Sequence, residues 1–204
     1  MLAGALLLLV PAAHAATPVS CAELATAMNA AKNGEVLQLP AEKCKLKATV
    51  TVANTAAFTV QGASGEGTVL EPPAATDKII ESSADVQFTL FDLTLTGTEE
   101  APAIYLSGPG EAVTLSDDTF SEDAYPSGFG AGVSIQLSAA STAMQPTRLI
   151  GDTFADDSAS SGGGAALLGS APLVVRESTF TADSGSLGAG GLTVASRDEG
   201  AGPV

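Results

Sequence analysis

Asp118-Thr119-Phe120-Ser121-Glu122-Asp123, Asp152-Thr153-Phe154-Ala155-Asp156-Asp157 and Ser178-Thr179-Phe180-Thr181-Ala182-Asp183 are three versions of one phrase. Each is followed by a glycine-rich patch, at Gly130-Ala131-Gly132, Gly163-Gly164-Ala165 and Gly190-Gly191. A short unit reused in this way marks a stack of similar coils, each too thin to bury its own apolar face. In such a stack Phe120, Phe154 and Phe180 lie above one another and fill the interior. The glycines suit corners or places where backbone must approach closely. Phosphate binding by these glycines lacks the required strand, helix and Lys context. The phenylalanines are 34 and then 26 residues apart. The longer interval predicts a loop near residues 138–145, of the kind that projects from a coil and can bind.

Upstream of the phrase the chain carries short strand signals broken by small turns. Val36 to Leu39 is halted by Pro40, Lys47 to Val52 alternates, and Phe58 to Val60 ends before a Gly62–Gly65 turn. Thr68 to Leu70, Lys78 to Ile80, a longer strand from Val86 to Thr96, Ala103 to Leu106 and Ala112 to Leu115 follow. One helix is predicted, at about residues 20–33. Ser20 and Glu23 form a capping box, Leu24, Ala27, Met28 and Ala31 make one apolar face, and Asn33-Gly34 ends it.

This helix, the segment Asn33-Gly34-Glu35-Val36-Leu37-Gln38-Leu39-Pro40 after it, and Phe58-Thr59-Val60-Gln61-Gly62 resemble the opening of secreted right-handed parallel β-helix proteins of the pectate-lyase-like fold. The later repeats are similar to the F-x-x-N and G-G-A repeats of polymorphic outer-membrane and autotransporter-type β-helices. The resemblance covers residues 20 to about 196. It implies an all-β right-handed parallel β-helix whose open end is capped by the short N-terminal helix. Where the family carries Asn, all three copies here carry Asp: Asp123, Asp157 and Asp183. Stacked Asn side chains can hydrogen-bond along the coil axis. Carboxylates ~4.8 Å apart repel unless solvated, protonated or bridged by a cation.

Composition narrows the function classes. Residues 1–15 have the apolar run and the Ala13-His14-Ala15 pattern of a secretory signal, with a buried first element as the alternative. The expectation is therefore a signal at 1–15, one β-helix domain at 16–204 with coils from about residue 35, and secretion or display at a cell surface. Removing that segment removes His14, the single histidine, and with it histidine-dependent nucleophilic catalysis and histidine metal sites. Cys21 and Cys44 are expected to form a disulfide in an exported chain, two free thiols being the alternative. Closing that loop of about 24 residues contributes ~3.5 kcal/mol in the chain-entropy model. From Ile79 onward 17 acidic residues face three basic ones, Arg148, Arg176 and Arg197, in a chain of net charge −15. Such a surface disfavours nucleic acid and anionic membranes, and no direct membrane insertion is expected.

Chemistry, on this reading, has one candidate place. Asp123, Asp157 and Asp183 occupy equivalent positions, with Asp118 and Asp152 as a second row, and could hold Ca²⁺; solvated surface charge is the competing explanation. The dipeptides Asp117-Asp118 and Asp156-Asp157 are poor hydrolase pairs, because neighbours on a strand face opposite ways. Arg148 and Arg176 are the basic candidates for a lyase, Arg176 being expected to pair with nearby acids, and Tyr105 and Tyr125 the candidate exposed rings for sugars, Tyr125 on a loop. No catalytic residue and no cofactor other than possible Ca²⁺ is assigned. The expected function is structural or recognition work of an adhesin-like kind, with a polysaccharide or cell-surface glycan as partner. The alternative is a polysaccharide lyase or glycoside hydrolase whose active coils are unrecognised here or missing from this segment, the protein being expected to continue past Val204.

Overall fold

The computed structural model describes residues 15–64, 67–108, 112–136, 146–169 and 172–195. Residues 1–14 of the predicted signal, the predicted loop at 138–145, Arg197 and the residues up to Val204 lie outside them. The described chain is all-β, with one short helix and all-parallel sheets, and forms a β-solenoid of about six turns. Among the described residues no helix is long and apolar enough to cross a membrane.

Three sheets run along the solenoid. The first stacks Thr17–Pro18, Val36–Gln38, Ala57–Gln61, Gln87–Phe91, Ala112–Ser116, Thr147–Ile150 and Leu173–Arg176. The second stacks Lys43–Lys45, Thr68–Glu71, Leu93–Thr96, Thr119–Ser121, Thr153–Ala155 and Thr179–Thr181, so the repeated phrase is one strand of this wall. The third runs from Val50–Thr51 to Leu192–Ala195. A fourth sheet of three strands, Ala124–Phe129, Ser158–Ser161 and Ser184–Gly185, lines only the later coils. Sequence reading leaves it out, because its Ser, Gly and Pro content imitates a loop.

Register puts one residue of each coil above its equivalent in the next. In the second sheet Cys44, Leu70, Leu95, Phe120, Phe154 and Phe180 form a single inward row. Phe120 and Phe154 are fully buried. Their rings lie 4.8 Å apart at 7°, and those of Phe154 and Phe180 4.7 Å apart at 4°. Ring electrostatics prefer offset or edge-on pairs. The near-parallel stack, at centroid distances that offset pairs also show, follows from the ~4.8 Å spacing of paired strands, which holds the rings in line.

The cap matches its expectation in character and falls short of it in length. A 3₁₀ turn at Cys21–Glu23 leads into an α-helix at Leu24–Ala30, so the helix stops before residue 33. The Glu23 carboxylate accepts from the Ser20 hydroxyl at 2.6 Å and from its amide at 3.4 Å. Leu24 and Met28 are fully buried. Two asparagines fasten the end of the helix to the first coil. Asn54 Nδ2 donates to the Met28 and Ala31 carbonyls at 2.8 and 2.9 Å. Asn29 donates to the Thr51 carbonyl and accepts from the Ala53 amide. Cys21 is disulfide-bonded to Cys44, tying the cap to the first strand of the second sheet.

Two further expectations are corrected. Val86 to Thr96 is two strands in different sheets, Gln87–Phe91 and Leu93–Thr96, because Asp92 takes φ 61° and turns the chain. The coils begin before residue 35, since Thr17–Pro18 pairs in parallel with Leu37–Gln38; proline is tolerated on this outermost strand.

Candidate functional site

Each strand of the repeated phrase sits between two corners built alike. At the first corner Asp92, Asp117, Gly151 and Glu177 have φ of 61°, 55°, 71° and 57°. At the second, Gly97, Glu122, Asp156 and Ala182 have φ of 90°, 58°, 59° and 58°. A left-handed residue reverses the pleat, so the residue after it points inward. Asp117 and Asp156 are exposed while Asp118 and Asp157 are buried, which divides both aspartate dipeptides across the wall.

The inward residues of the first corner are Leu93, Asp118, Asp152 and Ser178. The Leu93 amide donates to Asp118 Oδ1 at 2.9 Å and the Asp118 amide to Asp152 Oδ1 at 3.0 Å. The Asp152 amide donates to Ser178 Oγ at 3.2 Å. Both Oδ2 atoms are also used, accepting from Ser116 at 3.2 Å and from Ile150 at 2.9 Å. The second corner repeats the scheme. The Thr98 amide and hydroxyl donate to Asp123 Oδ1 at 3.0 and 2.9 Å, the Asp123 amide to Asp157 Oδ1 at 3.0 Å, and the Asp157 amide to Asp183 Oδ1 at 3.0 Å. At a corner the main-chain ladder cannot satisfy every N–H, and a buried unpaired amide is costly. The carboxyl of the next coil supplies the acceptor.

The explanation of Asp123, Asp157 and Asp183 as solvated surface charge is thereby corrected: Asp123 and Asp157 are fully buried and Asp183 half-buried. They stand one per coil in a line. Among the described residues, the one group of three His, Cys, Asp or Glu side chains whose ligand atoms lie within 4.8 Å of one another is Cys21, Glu42 and Cys44, whose two cysteines are already bonded together. Burial, opposed by the amide bonds and reinforced by neighbouring acids, raises the pKa values of the interior rows. Asp157 is pushed up to about 9, Asp123 and Asp152 to about 7, and Asp118 stands well above the ordinary range.

The glycine patches belong to the same construction. A Cβ on Gly132 would lie 3.0 Å from Phe120 Cβ and 3.1 Å from Asp157 Oδ2; one on Gly164 would lie 2.9 Å from both Phe154 Cβ and Asp183 Oδ2. Phe, Asp and Gly therefore recur together because each shapes the space of the others.

Outside the wall, a cleft of about 340 Å³ lies on the first sheet. Thr59, Thr89, Thr114 and Arg148 stand in register along it, with Gln87 beside them. The candidate rings are placed differently. Lys78 Nζ sits 5.0 Å from the centroid of the Tyr105 ring while also pairing with Glu81 at 2.8 Å, and Tyr125 is half-buried on a strand. Arg176 is exposed; the ion pairs between described residues are Lys43–Glu71 and Lys78–Glu81. No protein-family model, curated protein or solved structure matches this chain.

Proposed function

We propose that the chain is a secreted or cell-surface recognition protein that binds an extended polar polymer, a polysaccharide or cell-surface glycan, along the outer face of its first sheet and does not cleave it. The observation that carries this reading is the division of labour across the coil wall. The carboxyls of the repeat face inward and accept backbone amides, whereas the outer cleft offers hydroxyls from Thr59, Thr89 and Thr114, the Gln87 amide and the Arg148 guanidinium. Acid–base cleavage of a glycosidic bond needs two carboxyl groups flanking that bond. Among the described residues, those lining the cleft include no carboxylate. Hydrogen-bonding groups repeated every ~4.8 Å suit a ligand that is itself periodic.

The test is affinity electrophoresis and calorimetry of the whole protein against acidic and neutral polysaccharides, with reducing ends and unsaturated products measured in parallel. Binding weakened by Arg148→Ala and by Thr89→Val supports the reading. New ends or products from the wild type, or binding indifferent to both substitutions, would overturn it.

A further inference from the structure

The two interior rows differ in a way that coil geometry does not demand. Asp118 and Asp152 accept amides on both oxygens. Asp123, Asp157 and Asp183 accept on Oδ1, and their Oδ2 atoms are buried without a partner. A bare, buried carboxylate oxygen carries the full desolvation cost of an ion, and a neutral acid avoids most of it.

Among the described residues none supplies this row with the missing positive charge. The charges acting on it are acidic: Glu122 on Asp123; Asp123, Asp183 and Asp156 on Asp157; Asp156 on Asp183. The free oxygens of Asp157 and Asp183 face Gly132 and Gly164 at close range. A calcium ion takes six to eight oxygens, roughly, and each coil offers this row one free oxygen.

We propose that Asp123, Asp157 and Asp183 are carried as neutral carboxylic acids in the folded protein, making the later coils a proton-loaded element that is tight in acid and loosens as pH rises. Asp123 at about 7, Asp157 at about 9 and the raised Asp183 agree with this, burial being the first cause in each. The sign follows from linkage. The unfolded chain releases these protons near its ordinary carboxylate value of 3.8, and the folded chain keeps them. The stabilisation is fully present below that value and is lost as pH climbs through about 7 for Asp123 and about 9 for Asp157. Within the window each such group raises the unfolding constant about tenfold per pH unit.

The experiment is unfolding of the whole chain by circular dichroism from about pH 4 to about pH 9, for wild type and Asp157→Asn, with and without millimolar Ca²⁺. Infrared spectra of the wild type accompany it. The expected result is a wild-type Tm that falls with pH, a flatter profile for Asp157→Asn, and a protonated-carboxyl C=O band persisting near pH 6, where exposed aspartates are ionised. A wild-type Tm that rises or stays level, or no such band, overturns the proposal. So does a Tm increase with Ca²⁺ that Asp157→Asn abolishes, since a cation would then neutralise the row. Because Asp118 and Asp152 are raised as well, the band is compared between wild type and variant. If Asp157→Asn does not fold, Asp183→Asn, which keeps an acceptor for the Asp157 amide, takes its place. A variant with an undiminished band and an unchanged pH profile overturns the proposal.

Discussion

Replacing Phe154 by alanine tests the stacked interior at its most connected point. Phe154 is fully buried and its ring lies between two others, at 4.8 Å from Phe120 and 4.7 Å from Phe180. Truncating a buried Phe costs roughly 3–5 kcal/mol through lost transfer energy and the cavity left behind. Two ring contacts disappear, each worth about 0.5–1.5 kcal/mol beyond area. The neighbours cannot close the gap, because backbone pairing on both sides fixes the coil spacing. The estimate for Phe154→Ala is therefore at the upper end, ~4–5 kcal/mol. Phe180 is only partly buried and stacks on one described ring, so Phe180→Ala should cost about half as much. Urea unfolding followed by circular dichroism measures both, the chain having no Trp. With m near 2 kcal/mol/M, Phe154→Ala should lower the midpoint by roughly 2 M. A Phe180→Ala loss equal to or larger than that of Phe154→Ala would refute the stacked-core reasoning, as would a Phe154→Ala loss below ~1 kcal/mol.

Gly164→Ala should destabilise by ~1–3 kcal/mol, because its Cβ would sit 2.9 Å from Phe154 Cβ and from Asp183 Oδ2; chemical denaturation checks this, and a neutral result would deny the Phe, Asp and Gly coupling. Cys21→Ser removes the bond to Cys44, and a loss of ~3.5 kcal/mol is expected. Reducing agent should produce the same fall in Tm in the wild type and none in the variant. Asp157→Asn keeps an acceptor for the Asp123 amide while removing the ionisable proton. Its advantage over wild type should reach up to ~4 kcal/mol near pH 7, from about three pH units at ~1.36 kcal/mol each, and vanish near pH 4. Paired melts at the two pH values measure it.

How much could be read beforehand is clearest at individual residues. Phe120, Phe154 and Phe180 announced their own row, because a repeat with a fixed apolar residue leaves that residue one consistent place. The cap was legible too: Leu24 and Met28 fall on the predicted face and are fully buried. The corners were not. Asp92, Glu122, Asp156 and Ala182 adopt positive φ without being glycine, so neither composition nor alternation marks them. For that reason Val86 to Thr96 read as one strand. Asn29 and Asn54 were invisible for a related cause, since each bonds to backbone more than 20 residues away in the chain.

The sequence by itself determined the stack, its repeated Phe strand, its helical cap and the pairing of Cys21 with Cys44 as the favoured bond. It also set the chemical question, by writing Asp at three equivalent places. Only the tertiary structure decided which way those carboxyls face. Direction depends on a single left-handed residue before each one, which turns the side chain from solvent to the interior and brings it against the amide of the preceding coil. A one-residue reversal leaves the pattern of letters unchanged and alters the physics, because a carboxyl in water and one buried against glycine favour opposite charge states.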